Sequence, residues 1–286
     1  MEHNDNCLIK IQSILPSLKG VEQKAALHIL EHPEKVLNSS IASLSRQIGI
    51  AESSIIRFCR NIGYQGFASF KINLASSLQQ NALHNLDDLT MLSDDSSAVQ
   101  TMQHVFAQTH LALDQTLQII NSESFNQAAS LLCNADSLYF FGIGTSAPIV
   151  EDAYYRFSRV KAMTFCAVDP YAMLLATTHM NHDSVVIGVS HTGRSRETLS
   201  AMKKARSQGA HTISITSYLN SPITRYSDIS LVTSAAENNV IHEAITSRIT
   251  HLSLLDSLYT FITMHDYENS SVKLESINEI MKKARE

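Results

Sequence analysis

Cysteine is scarce and unpaired in this sequence: its four copies, Cys7, Cys59, Cys133 and Cys166, lie far apart. No C-x-x-C pair and no zinc-ligand spacing occurs, so neither a disulfide framework nor a structural metal site has support. Also missing is any run of about 18 apolar residues, so no membrane-spanning helix is expected. The N-terminal stretch does not combine basic residues, an apolar core and a cleavage site, so no export leader is expected and the chain reads as cytoplasmic. A positive charge excess is lacking too. The net charge is −5, which taken as an average argues against a polyanion partner.

What is present corrects that average. The 286 residues are 44% hydrophobic and 17% charged, enough to build real cores in one large or two ordinary domains. Residues 1–80 hold eight Lys/Arg against six Asp/Glu, a balance of +2 that leaves −7 for the remainder. Between residues 44 and 75 stand Arg46, Arg57, Arg60 and Lys71 against Glu52 alone. The positive charge is therefore local, and it falls on the segment that local rules read as a helix-turn-helix.

That reading starts from periodicity. Val21, Ala25, Ala26, Ile29 and Leu30 recur at helical spacing over 21–32, and Pro33 supplies a stop. Ile41, Leu44 and Ile48 predict a second helix from about Ser40, closed by Gly49. Only Ile50 and Ala51 intervene before Ile55, Phe58, Cys59 and Ile62 mark a third helix, ended by Gly63. Two short helices across a tight glycine turn make the helix-turn-helix pattern. Ala51 stands where a capping Ser or Thr would serve better. Removing the apolar face of the third helix leaves Ser53, Ser54, Arg57, Arg60 and Asn61 outward as candidate DNA contacts, beside Glu52. Arg57 and Arg60, three apart, share a face, and arginine grips phosphate or bridges guanine.

The run Ser40–Leu74, above all its closing "RFCRNIGYQGFASFK", resembles the N-terminal domain of the RpiR family of bacterial regulators. The resemblance implies that Tyr64, Phe67 and Phe70 pack the turn after the recognition helix onto the bundle, with Lys71 adding a phosphate contact. Residues 78–97, polar and acidic around Asp87, Asp88, Asp94 and Asp95, read as a linker between a DNA-binding domain at 1–77 and a second domain at 98–286.

The second domain opens with helical patterns at 98–120 and 123–133 and then alternates strand with helix, which predicts a doubly wound α/β domain with a five-stranded parallel sheet. The expected strands are Ser137–Phe141, 163–168, Ser184–Val189, His211–Thr216 and Ile229–Thr233. Two loops follow strands and precede helices: Gly142-Ile143-Gly144-Thr145-Ser146 and Ser190-His191-Thr192-Gly193-Arg194-Ser195. Helix N-termini with hydroxyl neighbours make a neutral anion cradle. A rival reading is a dinucleotide fingerprint, since Gly142 to Ala147 fits G-x-G-x-x-A. Its acidic partner would be Asp169, which lies 27 residues beyond Gly142 where about 20 is expected.

The two loops in this order look like those of the sugar isomerase (SIS) domain, with Thr192 and Ser195 exchanging Ser for Thr and the reverse. Carried over, the phosphate-binding set is Ser146, Ser190, Thr192 and Ser195, with Gly144, Thr145, His191 and Gly193 completing the phosphosugar site. The stretch Glu243–Arg248 also resembles RpiR-type proteins and adds Glu243 as a ligand contact. Helix-turn-helix followed by SIS is the RpiR arrangement, so the resemblance spans nearly the whole chain. It implies a transcription regulator without cofactor or catalytic residues, binding a double-stranded DNA operator. Its effector would be a sugar phosphate, first N-acetylmannosamine 6-phosphate as in regulators of sialic acid catabolism, then hexosamine or other hexose phosphates. The alternatives are a sugar-phosphate isomerase, for which Glu197, His179, His191, His242 and Glu243 are acid–base candidates, and a dinucleotide sensor. A homodimer or higher homo-oligomer is expected from the two-fold symmetry of operators. The stripe Ile245, Ile249, Leu252, Leu255 and Leu258 of a helix over 243–264 serves equally as dimer contact or as core.

Overall fold

The computed structural model describes residues 6–84, 96–161, 163–234 and 245–284. By its internal contacts the chain forms two units, Met1–Ile119 with Ser234–Thr246, and Ile120–Thr233 with Ser247–Glu286.

The first unit is helical: α1 (Cys7–Ile14), α2 (Gly20–Glu31), α3 (Pro33–Leu37), α4 (Ile41–Ile48), α5 (Glu52–Asn61), α6 (Phe67–His84) and α7 (Ala98–Ile119). Local chemistry explains the boundaries. The Asn6 side chain accepts the N–H groups of Leu8 and Ile9 and so starts α1. Pro33 opens α3, where its missing N–H costs nothing. Ser40 Oγ accepts the Ser43 N–H at 3.2 Å to start α4, which ends at Gly49 in the left-handed region, φ 72°. That conformation turns the chain sharply enough for α5 to begin three residues later. Ala51 indeed gives α5 no side-chain cap. The two amphipathic helices bury Leu44, Ile55, Phe58 and Cys59 against Ile29 of α2 and Phe70 and Leu74 of α6. Tyr64 and Phe67 flank Phe70 with ring centroids at 5.6 and 6.3 Å, as the family resemblance implied. The sequence reading did not foresee α1, α3 or α6. The last of these runs through His84, into the stretch read as linker, and residues 85–95 lie outside the described residues.

The second unit follows the α/β expectation. Its elements are α8 (Ser122–Asn134), β1 (Ser137–Phe141), α9 (Ala147–Phe157), β2 (Thr164–Ala167), α10 (Pro170–Ala176), β3 (Ser184–Val189), α11 (Arg196–Ser207), β4 (His211–Thr216), β5 (Ile229–Val232), α12 (Ile245–His265) and α13 (Tyr267–Lys283). The five strands are all parallel, in the order β2-β1-β3-β4-β5. Strand alternation sends Leu138 and Phe140 to one face, against Phe157 of α9 and Leu255 and Leu258 of α12. Tyr139 and Phe141 go to the other, with Met173 of α10 and Met202 of α11. The register Phe140–Ile187–Ile213–Ile229 lays one apolar row across four strands, all in the first of these cores. Burial on both faces is what makes parallel strands read as near-continuous apolar runs.

One expectation changes here. Leu255 (2% exposed) and Leu258 (0%) of α12 are core side chains packed beneath the sheet, so the part of the stripe they form is not a surface for a second subunit. Burial is the physical reason: an apolar side at helical spacing serves a sheet face as readily as another chain.

Two substitutions gauge this packing. Gly49→Ala should destabilise the helix-turn-helix by about 1–2 kcal/mol, because an L-residue resists the left-handed region. Phe58→Ala should cost about 3–5 kcal/mol through the cavity it leaves. Denaturant titration followed by circular dichroism reads both.

Candidate effector crevice and nucleic-acid interface

In the sheet of the second unit the chain leaves β1 outward to β2 and leaves β3 in the opposite direction to β4. Loops after two such neighbouring strands diverge and open a crevice at their carboxyl ends, the usual ligand position in open parallel sheets. The two loops singled out in the sequence are these.

After β1, Gly144–Ser146 form a single 3-10 turn that runs into α9. Gly144 and Thr145 are exposed, whereas Ser146 is buried. After β3, Ser190 is 2% exposed and its Oγ lies 3.2 Å from Ser195 Oγ, so two of the predicted phosphate ligands stand side by side. Thr192 is exposed at the tip. Gly193 ties the loop to itself and to the 3-10 turn at Pro222–Tyr226 between β4 and β5: its N–H donates to the Ser190 carbonyl and its own carbonyl accepts the Ile223 N–H, each at 3.0 Å. Its φ of 63° favours glycine, and a Cβ there would collide with Ser221. Ser195 occupies the N-cap position of α11, and Thr198 in the first turn is wholly buried, its hydroxyl without a hydrogen-bond partner among the described residues. Arg194 and Arg196 are exposed on either side of Ser195.

Behind His191 lies a polar cluster that the sequence reading missed. His191 Nδ1 is 3.0 Å from Ser217 Oγ, which is 3.0 Å from Thr233 Oγ1 and 3.4 Å from Nε2 of His251 on α12. His251 is fully buried, and desolvation, with His191 nearby, pushes its pKa from 6.5 down to about 3. It is neutral at physiological pH. The one available signal was the pair of hydroxyl dipeptides Thr216-Ser217 and Thr233-Ser234 at the ends of β4 and β5. Glu243 and His242 lie outside the described residues, so no geometry attaches to them. Glu197 and His179 are exposed. Asp169, the carboxylate a dinucleotide reading required, caps α10 instead, accepting the Ala172 N–H at 2.9 Å. Burial raises the thiol of Cys59 to about 12 and that of Cys166 to about 11, which keeps both as unreactive thiols at neutral pH.

In the first unit, Ser53, Arg57, Arg60 and Asn61 are exposed on α5 and Ser54 is half-buried. The two arginines are steadied from different sides. Arg57 Nε lies 3.7 Å from Glu22 Oε1 of α2, and Arg60 Nε donates to the Gln65 carbonyl at 3.3 Å. Asn61 Nδ2 donates to the same Glu22 oxygen at 2.7 Å. Lys71 is half-buried, donates to the Ser39 carbonyl at 3.0 Å and sits over the Phe67 ring, so it braces α6 against the end of α3.

A helix-turn-helix bundle joined to an α/β unit with an open parallel sheet and a switch point between β1 and β3 defines a two-domain class of DNA-binding regulator. Comparison with known proteins gives the family. Residues 5–81 match the helix-turn-helix domain of the rpiR family and residues 131–261 match the SIS domain. An HTH-type transcriptional regulator of Caldanaerobacter subterraneus is 32% identical over 96% of each chain. The HTH-type transcriptional regulator HexR of Pseudomonas aeruginosa is 31% identical over 91% of this chain and 90% of its own. Among solved structures, the Vibrio vulnificus NanR protein complexed with ManNAc-6P aligns over 97% of this chain and 98% of its own, with a TM-score of 0.60 at 21% identity, a likeness of fold. This chain belongs to the rpiR family of helix-turn-helix transcription regulators with a SIS domain, and it is a regulator rather than an isomerase. Among the described residues no helix is long and apolar enough to cross a membrane.

The burial of His251 fixes the sign of a pH effect. Its folded pKa lies below its unfolded value, so the unfolded chain takes up a proton first and stability falls as pH drops from about 6.5 towards 3. Above that window the loss is absent. His251→Gln should flatten this part of the stability–pH curve, measured as denaturation midpoints between pH 7.5 and pH 4.5; an unchanged slope would show that His251 does not titrate this way.

Proposed function

We propose that a sugar phosphate bound in the crevice between the β1 and β3 loops controls how this regulator binds its DNA operator. The phosphate is held by Ser146, Ser190, Thr192 and Ser195, with Gly144, Thr145, His191 and Gly193 shaping the site and Glu243 added from the resemblance alone. The observation that carries the reading is the Ser190–Ser195 hydroxyl pair, Ser190 buried after β3 and Ser195 half-buried at the N-cap of α11, whose first turn also holds the buried Thr198 hydroxyl, without a hydrogen-bond partner among the described residues. A helix N-terminus with neutral donors suits a small anion. N-acetylmannosamine 6-phosphate is the first candidate, supported by the ligand of the NanR structure, and hexosamine or other hexose phosphates come next.

On the DNA side α5 is the reading helix, with Ser53, Ser54, Arg57, Arg60 and Asn61 as contacts and Lys71 near the backbone. Residues 1–77 then act as the DNA-binding domain, 78–97 as linker and 98–286 as the effector domain. The chain works in the cytoplasm as a homodimer or higher homo-oligomer, because recognition helices must meet half-sites about 34–36 Å apart.

Calorimetry tests the sensor. N-acetylmannosamine 6-phosphate should bind, its unphosphorylated parent should bind at least tenfold more weakly, and NAD should give no heat. Ser190→Ala should weaken the phosphorylated ligand by about 1.5–3 kcal/mol, one hydrogen bond to a charged group. Operator affinity should change with ligand by the factor by which operator changes ligand affinity. Equal binding of sugar and sugar phosphate, or wild-type affinity in Ser190→Ala, would reject the site.

A further inference from the structure

Glu22 is an acid where a DNA-binding surface should avoid one. It sits in the first turn of α2, and its carboxylate reaches α5, 2.7 Å from Asn61 Nδ2 and 3.7 Å from Arg57 Nε. Arg57 and Asn61 are four residues apart on α5 and so share a face. The Glu22 side chain is 24% exposed, while that of Arg57 is 62% exposed. The carboxylate is thus the sheltered partner and the guanidinium the presented one.

Two physical effects of such an acid oppose each other. Near DNA it repels phosphate and lowers affinity for any sequence. Against that, a long arginine side chain loses rotamer freedom when it docks on a base, and a partner that fixes it beforehand removes part of that cost. The contact falls on Nε, whereas an end-on bidentate contact to guanine uses the two terminal nitrogens, so the anchor and the base edge do not compete for donors. Asn61 fixes the carboxylate from the far end of α5, which gives the anchor one position. Glu22 also places negative charge at the start of α2, where the helix dipole favours it. A test must separate that structural role from the contact with α5.

We propose that Glu22 is a specificity-determining residue: it positions Arg57 for a base edge, raising the preference for operator over other DNA while lowering affinity for DNA in general. This rests on the reading of α5 as the helix that reads bases.

The experiment uses the full chain and two duplexes, one enriched by the wild-type protein from a random-sequence pool and one of scrambled sequence with the same composition. Fluorescence anisotropy gives both affinities for each variant. Glu22→Gln should weaken the enriched duplex about tenfold, within the discrimination a bidentate arginine–guanine pair supplies, and hold the scrambled duplex as tightly as wild type or more so. Glu22→Asp keeps the charge at the start of α2 but is one methylene too short for the contact, and should lose discrimination as well. Equal tightening on both duplexes in Glu22→Gln would make the residue a repulsive charge only. Wild-type discrimination in Glu22→Asp would make it a helix-end charge only. Either outcome overturns the proposal. Should Glu22→Gln not fold, Asn61→Ala frees the carboxylate without touching α2, and intact discrimination there would be equally fatal. Arg57→Ala separates the two levels. Loss of discrimination there with Glu22 variants unaffected sinks only the role of Glu22, whereas full discrimination in Arg57→Ala sinks the reading of α5 itself.

Discussion

The second unit depends on one constraint of parallel sheets: a strand must be followed by a crossover, and crossovers in such sheets are right-handed. β1 and β3 are hydrogen-bonded neighbours, yet α9 after β1 packs on the face that holds Phe140 and Ile187, while α11 after β3 packs on the face that holds Phe141 and Val186. Two adjacent strands that discharge to opposite faces cannot have their following loops in contact along their whole length. The crevice is therefore a property of the connectivity, present before any side chain is chosen. What the side chains decide is its chemistry, and there the chain places hydroxyls and glycine at the bottom and arginines at the rim.

That choice has a consequence for a DNA-binding regulator. A crevice built of buried lysines and arginines would attract any polyanion, the operator included. Here the buried groups at the crevice and behind it are neutral: Ser146, Ser190, Thr198, Ser217, Thr233 and a histidine held far below its ordinary pKa. Neutral donors at a helix start bind a small anion by direction and distance rather than by field strength. The distribution of formal charge acts in the same sense, with residues 1–80 at +2 and the remainder at −7. The positive excess lies in the half that carries the helix-turn-helix, where it favours a polyanion, and the negative excess lies in the other half.

How far the sequence reveals this depends on whether a feature is local. The α4–Gly49–α5 joint is written within a short stretch, in two apolar faces and one glycine that act as read, while the cap could have been Asn38, Ser39 or Ser40 and only the structure selects Ser40. The strands show because burial on both faces demands apolar runs. Asp169 shows only as an acid after a strand, and the same position serves a cap or a cofactor. α1 depends on the Asn6 cap and on a partner far along the chain, since the Cys7 N–H bonds Ser77 Oγ of α6 at 3.0 Å, and no window of a few residues contains both. The α12 stripe is visible but ambiguous, because periodicity specifies that a face is covered and not by what. The His191–Ser217–His251 cluster leaves only the faint trace of two hydroxyl dipeptides, because it draws one residue each from a loop, a strand end and a helix.

The same cluster lies close to a place where the two units are covalently joined. The chain passes between them three times, at Ile119–Ile120, Thr233–Ser234 and Thr246–Ser247. Thr233 bonds Ser217 in the cluster behind the β3 loop, and the next residue, Ser234, belongs to the first unit, where its N–H donates to Thr116 Oγ1 at 3.0 Å and its Oγ to Gln115 Oε1 at 2.6 Å on α7. Thr233 and Ser234, adjacent in the chain, thus form their hydrogen bonds within different units. Hydroxyl groups suit this position. A buried serine or threonine exchanges one acceptor for another by rotation about a single bond, whereas an apolar side chain in a packed interior has no second arrangement of similar energy. Thr233 and Ser234, both buried, each meet their hydrogen-bonding needs within their own unit.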